Sequence, residues 1–248
     1  MDPAFFIVGF QKCGTTSLYD TIMAHPDVVP GVMKENNILA EKAERLNEFK
    51  LCFPIKQKGK ITGDASHLHT WMPYGLERIK EHYPSAKIIV IMRDPVARAF
   101  SHFNMDHKIG YLPEKLSFDQ IINLEMTLRE NILSGSVDDV YQNLKLYGNR
   151  YGWPLSRGIY STYIEKIQAL NLEFLPLFME DLSTDHDGVC QTVFSFLQLD
   201  QITIPAKVKN KGVYQSSLNK ETEDRLRTFY EPHNKRLEQL LDKPLPWK

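Results

Sequence analysis

The segment Gly9-Phe10-Gln11-Lys12-Cys13-Gly14-Thr15-Thr16-Ser17 combines two glycines, a lysine and three successive hydroxyl residues. It follows an apolar run, Phe5 to Gly9, and precedes a helical pattern carried by Leu18, Ile22 and Met23. A glycine loop between a strand and a helix aims free N–H groups at an anion, and the helix dipole favours negative charge there. The two glycines have the spacing of the Walker A pattern, G-x-x-x-x-G-K-[ST], but Thr15 stands where that pattern has its lysine. The lysine lies inside the loop instead, at Lys12. The chemistry implied is phosphate binding by the loop backbone, Lys12 and the hydroxyls of Thr15, Thr16 and Ser17, with no metal required.

A second anion site is predicted at Arg93-Asp94-Pro95-Val96-Ala97-Arg98-Ala99-Phe100-Ser101. Asp94 suits a helix N-cap and Pro95 the first helical position. Arg93 then ends a strand, at the edge where open α/β sheets bind ligands. Arg93 supplies a guanidinium fork and Ser101 a hydroxyl for one phosphate. Two phosphate sites imply a nucleotide phosphorylated at two places, which describes 3′-phosphoadenosine-5′-phosphosulfate (PAPS) better than ATP.

The elements that must position these residues alternate between apolar β-rich runs and helical patterns, which predicts an α/β fold with a central parallel sheet flanked by helices. Strands are expected at 5–9, 60–64, 88–92 and 172–179, the third a continuous apolar run of the kind buried on both faces. Helical patterns cover 74–83, 95–106, 117–133, 159–170, 187–197 and 219–241. Residues 134–158, rich in Gly, Asn, Tyr and Trp, read as a long surface excursion of the kind that often forms a lid. With no repeat or linker, residues 1–248 read as one domain.

Composition bounds the function classes. Thirty Lys and Arg against 31 Asp and Glu give a net charge of −1, without the basic excess of a dedicated nucleic-acid binder. Three scattered cysteines, Cys13, Cys52 and Cys190, make neither a disulfide framework nor a zinc site. The histidines show no metal-ligand spacing, so no metal is expected. No run approaches the ~18 apolar residues of a membrane helix, and no leader pattern opens the chain. If the chain is complete, a cytoplasmic protein with no membrane partner is expected. The sequence carries no signal for oligomeric state.

Lys12-Cys13-Gly14-Thr15-Thr16-Ser17-Leu18 resembles the 5′-phosphosulfate loop of the PAPS-dependent sulfotransferases, and Arg93 to Ser101 resembles their 3′-phosphate motif. The resemblance is to the heparan sulfate N- and 3-O-sulfotransferase branch and its bacterial relatives, including those of cyanobacterial natural-product pathways. Gly158-Ile159-Tyr160, Glu180-Asp181-Leu182 and Leu245-Pro246-Trp247 extend it over almost the whole chain. It implies the sulfotransferase fold, and that Gln11 to Ser17, with Arg93 and Ser101, hold PAPS and its product PAP. Lys12 would contact the leaving phosphate oxygen. A late basic loop, Lys209-Asn210-Lys211-Gly212, would close over the 3′-phosphate.

The same resemblance implies that Glu35, in Lys34-Glu35, is the general base, with Lys34 near the transferred group. Two departures bear on the acceptor. Asn36-Asn37-Ile38 stands where many members have aromatics, and Asp64-Ala65-Ser66-His67-Leu68-His69 lacks a lysine suited to a sulfated sugar. Asp64 and Ser66 fit the substrate side of the family pattern. His67 and His69 can assist or replace Glu35, because histidine titrates near neutral pH. Trp153 and Arg157, in the long excursion, either line an acceptor pocket or anchor the loop. The acceptor expected is a hydroxyl, less readily an amine, on a small, carrier-linked or saccharide molecule. The alternatives are a P-loop nucleotide kinase using ATP and Mg²⁺, and a nucleotide-binding module without turnover.

Overall fold

The computed structural model describes residues 1–133, 153–206 and 217–247. Two compact units emerge, the first from Met1–Arg93, Thr162–Asn210 and Pro244–Lys248, the second from Asp94–Ser161 and Lys211–Lys243.

The first unit holds a sheet of four parallel strands: β1 (Phe5–Ile7), β2 (Gly63–Ala65), β3 (Lys87–Met92) and β4 (Phe174–Phe178), in the order β2-β1-β3-β4. Phe5, Phe6, Ile7 and Ile88 to Met92 are at most 1% exposed, because a sheet covered on both faces buries both sides of its central strands. The flanking helices are α1 (Thr15–Met23), α2 (Leu46–Leu51), α3 (Leu68–Trp71), α4 (Gly75–His82), α8 (Met179–Thr184) and α9 (His186–Leu197). Gly9 follows β1 where its backbone runs against β3. A Cβ there would lie 2.7 Å from both Cγ2 and the carbonyl oxygen of Ile91, so only glycine fits.

The second unit is helical. Its main helices are α5 (Pro95–Lys108), α6 (Phe118–Leu133) and α10 (Lys220–Leu241). Between α6 and α10 comes α7 (Tyr160–Ala169), whose first two residues belong to this unit and the rest to the first. Asp94 caps α5 as its sequence position predicts, accepting from the backbone N–H of Val96 at 2.9 Å, with Pro95 at the helix start. Val96, Ala99, Phe100, Phe103, Ile121, Ile122, Leu226 and Tyr230 form the core. Through that core runs a buried polar network. The Glu125 carboxylate accepts from the N–H groups of Leu155 at 2.7 Å and Ser156 at 2.8 Å. The Tyr230 hydroxyl donates to the Leu155 carbonyl at 2.7 Å, and Arg98, fully buried, donates to the Pro154 carbonyl.

The sheet and the long helices match the sequence reading to within a few residues. The second strand lies later than expected, at Gly63–Ala65 rather than 60–64, because Ile61 makes only an isolated bridge to Val28. Among the described residues, no helix is long and apolar enough to cross a membrane.

Two outcomes follow. Gly9→Ala should destabilise by about 1–3 kcal/mol, because both contacting atoms belong to a central strand that cannot shift. Burial also pushes Glu125 from its ordinary 4.5 up to about 7. The folded state then binds the extra proton, so this contribution is fully present below about pH 4.5 and is lost as pH rises through about 7. Urea midpoints should therefore fall between pH 5 and 8, and Glu125→Gln should flatten that slope.

Candidate active site

The carboxyl ends of β1, β2 and β3 are neighbours in the sheet, and the predicted site residues of the first unit follow them. After β1 the loop turns through Lys12 at φ +72° and Gly14 at φ +87° into α1. The α1 N-terminus carries no side-chain cap and no acidic residue in its first turn. Its N–H groups and the hydroxyls of Thr15 and Thr16 thus form an anion-binding end with no internal anion supplied. Arg93, after β3, donates from Nη1 to the Lys12 carbonyl at 3.4 Å, which brings its guanidinium to the same loop. Cys13, within the loop, is buried.

Lys34 joins this loop to a carboxylate. Its Nζ donates to Thr16 Oγ1 at 2.8 Å and to Glu35 Oε1 at 2.9 Å. His67 Nδ1 lies 3.9 Å from the other carboxylate oxygen, Oε2. The Glu35 side chain is 40% exposed, against 20% for Lys34 and 15% for His67. An ion pair this open adds only about 0–1 kcal/mol to folding. Its stability contribution is therefore small, and what it provides is a solvent-accessible carboxylate held beside a cation and an imidazole.

The end of β2 holds that carboxylate residue by residue. The Glu35 N–H donates to the Ala65 carbonyl at 3.2 Å, Asn36 Nδ2 to Asp64 Oδ1 at 2.7 Å, and the Asn37 N–H to Ser66 Oγ at 3.4 Å. Glu35 and Asn37 take left-handed backbone angles, φ +61° and +55°. Asp64, Ser66 and His69 are buried to 2% exposure or less. Asp64 Oδ1 and Ser66 Oγ accept from the 35–37 turn. His69, 0% exposed, packs edge-on against Phe6 and Phe49. Burial lowers it to about 3, so it stays neutral.

In the second unit, Ser101 lies on α5 and is 3% exposed. Trp153 and Arg157 are buried, at 2% and 7% exposure. Lys209, Lys211 and Gly212, and residues 134–152 of the long excursion, lie outside the described residues. Among those described, no group of three or more His, Cys, Asp or Glu is gathered as for a metal ion. Sequence reasoning missed Asn36 as a functional residue. Its only signal was the pair Asn36-Asn37, a residue type that tolerates left-handed backbone and hydrogen-bonds locally.

The sulfotransferase domain family matches residues 2–231, and the chain belongs to that family. Over 99% of its length it is 26% identical to carbohydrate sulfotransferase 15 of Mus musculus, of which it covers 54%. It is 23% identical to heparan sulfate glucosamine 3-O-sulfotransferase 3B1 of Mus musculus, covering 99% of this chain and 65% of that protein. The chain thus spans half to two thirds of these relatives. A sulfotransferase from Alicyclobacillus acidocaldarius has the same fold, with a TM-score of 0.78 at 22% identity over 99% of this chain and 98% of that one. The sulfotransferase domain from the curacin biosynthetic pathway gives 0.53 at 13% identity, covering 99% of each chain.

The site separates stability from chemistry. Gly14→Ala should cost about 1–2 kcal/mol through its left-handed φ alone, since the nearest atom to an added Cβ is 3.5 Å away. Lys34→Ala should change stability by less than about 1 kcal/mol. Thermal melts of the two variants check both values.

Proposed function

We propose that the protein transfers the sulfuryl group of PAPS to a hydroxyl, or less readily an amine, of a small-molecule, carrier-linked or saccharide acceptor. The observation that carries this reading is the reach of Lys34 from Thr16, in the phosphate loop, to Glu35. It sets a proton acceptor beside an anion site, as a group transfer to an O–H requires.

The residues of the loop fit the donor. The uncapped α1 N-terminus, with Thr15, Thr16 and Ser17, suits the 5′-phosphate, and Lys12 suits the phosphate oxygen released as its bond to sulfur breaks. Arg93 and Ser101 are assigned to the 3′-phosphate by the family pattern, with Lys209, Lys211 and Gly212 as its late loop. PAPS supplies the activated sulfuryl group. Glu35 takes the acceptor proton as the acceptor oxygen bonds to sulfur, Lys34 offsets the negative charge near the transferred group, and His67 lies close enough to assist. Thr15, in place of the Walker lysine, argues against a kinase.

The test is transfer of ³⁵S from labelled PAPS to a panel of phenols, aliphatic alcohols, amines and oligosaccharides. Glu35→Gln should lower kcat about 10²–10⁴-fold while leaving PAP binding in place. Lys12→Ala should lower turnover and weaken PAP binding together. Full turnover by Glu35→Gln would remove Glu35 as the base, and phosphoryl transfer from ATP and Mg²⁺ without any ³⁵S transfer would favour the kinase.

A further inference from the structure

We infer that Asp64 and Asn36 form a positioning relay that holds Glu35 in place, an inference that rests on reading Glu35 as the base. Left-handed backbone costs a non-glycine residue about 1–2 kcal/mol, and two such residues, Glu35 and Asn37, flank Asn36. The turn persists only because its surroundings over-determine it. Two of the bonds that hold it are longer, from the Glu35 N–H to the Ala65 carbonyl at 3.2 Å and from the Asn37 N–H to Ser66 Oγ at 3.4 Å. The Asn36–Asp64 bond is shorter, at 2.7 Å, and ends on a carboxyl that is 2% exposed. A hydrogen bond to a buried acid group is the strong member of such a set.

Asp64 is in turn held by hydrogen bonds from the Ser66 side chain and the Ala65 backbone. Its Oδ2 lies 3.4 Å from His69 Nδ1, with both side chains at most 1% exposed and no hydrogen bond between them. Burying a carboxyl is costly unless it is well bonded, and its burial pushes Asp64 up to about 7. In either charge state Oδ1 can accept from Asn36. Asn36 Oδ1 also accepts from the Ile38 N–H at 3.2 Å, closing the turn beyond Glu35. The relay therefore runs from one buried carboxyl through the Asn36 side chain into the strained turn, which Asn37 Nδ2 also braces by donating to the Glu35 carbonyl at 2.8 Å. Both members act through Glu35 and are positioning residues.

The test uses the full chain and reads amide exchange by NMR at Glu35 and Asn37, with β1 and β3 amides as internal controls. Asn36→Ala and Asp64→Ala should each speed exchange at both positions about tenfold, the effect of losing one hydrogen bond of this kind. The double variant should do no more than either single one, and Asp64→Asn, whose amide oxygen still accepts from Asn36, should stay near wild type. Unchanged exchange in Asn36→Ala, additive effects in the double variant, or failure of Asp64→Asn to rescue would overturn the relay. Asn36 is only half-buried, so its variant keeps the test valid should Asp64→Ala fail to fold. Thermal stabilisation of the wild type by PAP is measured alongside. Its absence with the expected exchange pattern would leave the relay standing and remove the sulfotransferase reading instead.

Discussion

The Lys34 ammonium stands 2.8 Å from a hydroxyl of the phosphate loop and 2.9 Å from the Glu35 carboxylate. The rest of the site depends on that double contact. The cation bridges the loop after β1 and an exposed carboxylate. Without it, a carboxylate next to a bound phosphate would be repelled. The pair is too solvent-exposed to matter for folding, so its energetic effect is reserved for the state in which ligands cover it.

Backbone strain follows the same division. Trp153 opens the segment that Glu125 grips, and among the other described non-glycine residues with positive φ, Gln198 and Asp242 end helices α9 and α10, and Asn171 lies just past α7. Left-handed residues are ordinary there. Lys12, Glu35 and Asn37 are different, since they sit in the loops after β1 and before β2 where chemistry is proposed. Strain of this kind lasts only when neighbours hold it, and here the neighbours are buried polar side chains at the end of β2. In the second unit, Glu125, Arg98 and Tyr230 likewise grip the backbone of residues 154–156. In both units buried polar groups are used to fix irregular backbone rather than to face solvent.

Much of this was legible in the residues. The phosphate loop announced itself through two glycines, a lysine and a hydroxyl run, and α5 through Asp94 and Pro95. The uninterrupted apolar run of β3 could only be a central strand. Helix α2, at Leu46–Leu51, left no signal because six residues are too few to show a period. The burial of His69 was hidden for another reason. A histidine after a strand looks the same in sequence whether the chain turns it toward solvent or into the core, and here α3 folds it against Phe6 and Phe49. The direction of Asp64 and Ser66, toward the Glu35 turn, is likewise a tertiary fact.

The central claim is that the loop after β1 accepts a nucleotide carrying phosphates at two positions and needs no metal to do so. Calorimetric titration with PAP, AMP and ATP plus Mg²⁺ tests it most directly. The account predicts metal-independent binding of PAP that is at least tenfold tighter than that of AMP, a difference of about 1.4 kcal/mol from the second phosphate. Binding of ATP only with Mg²⁺, and none of PAP, would contradict it.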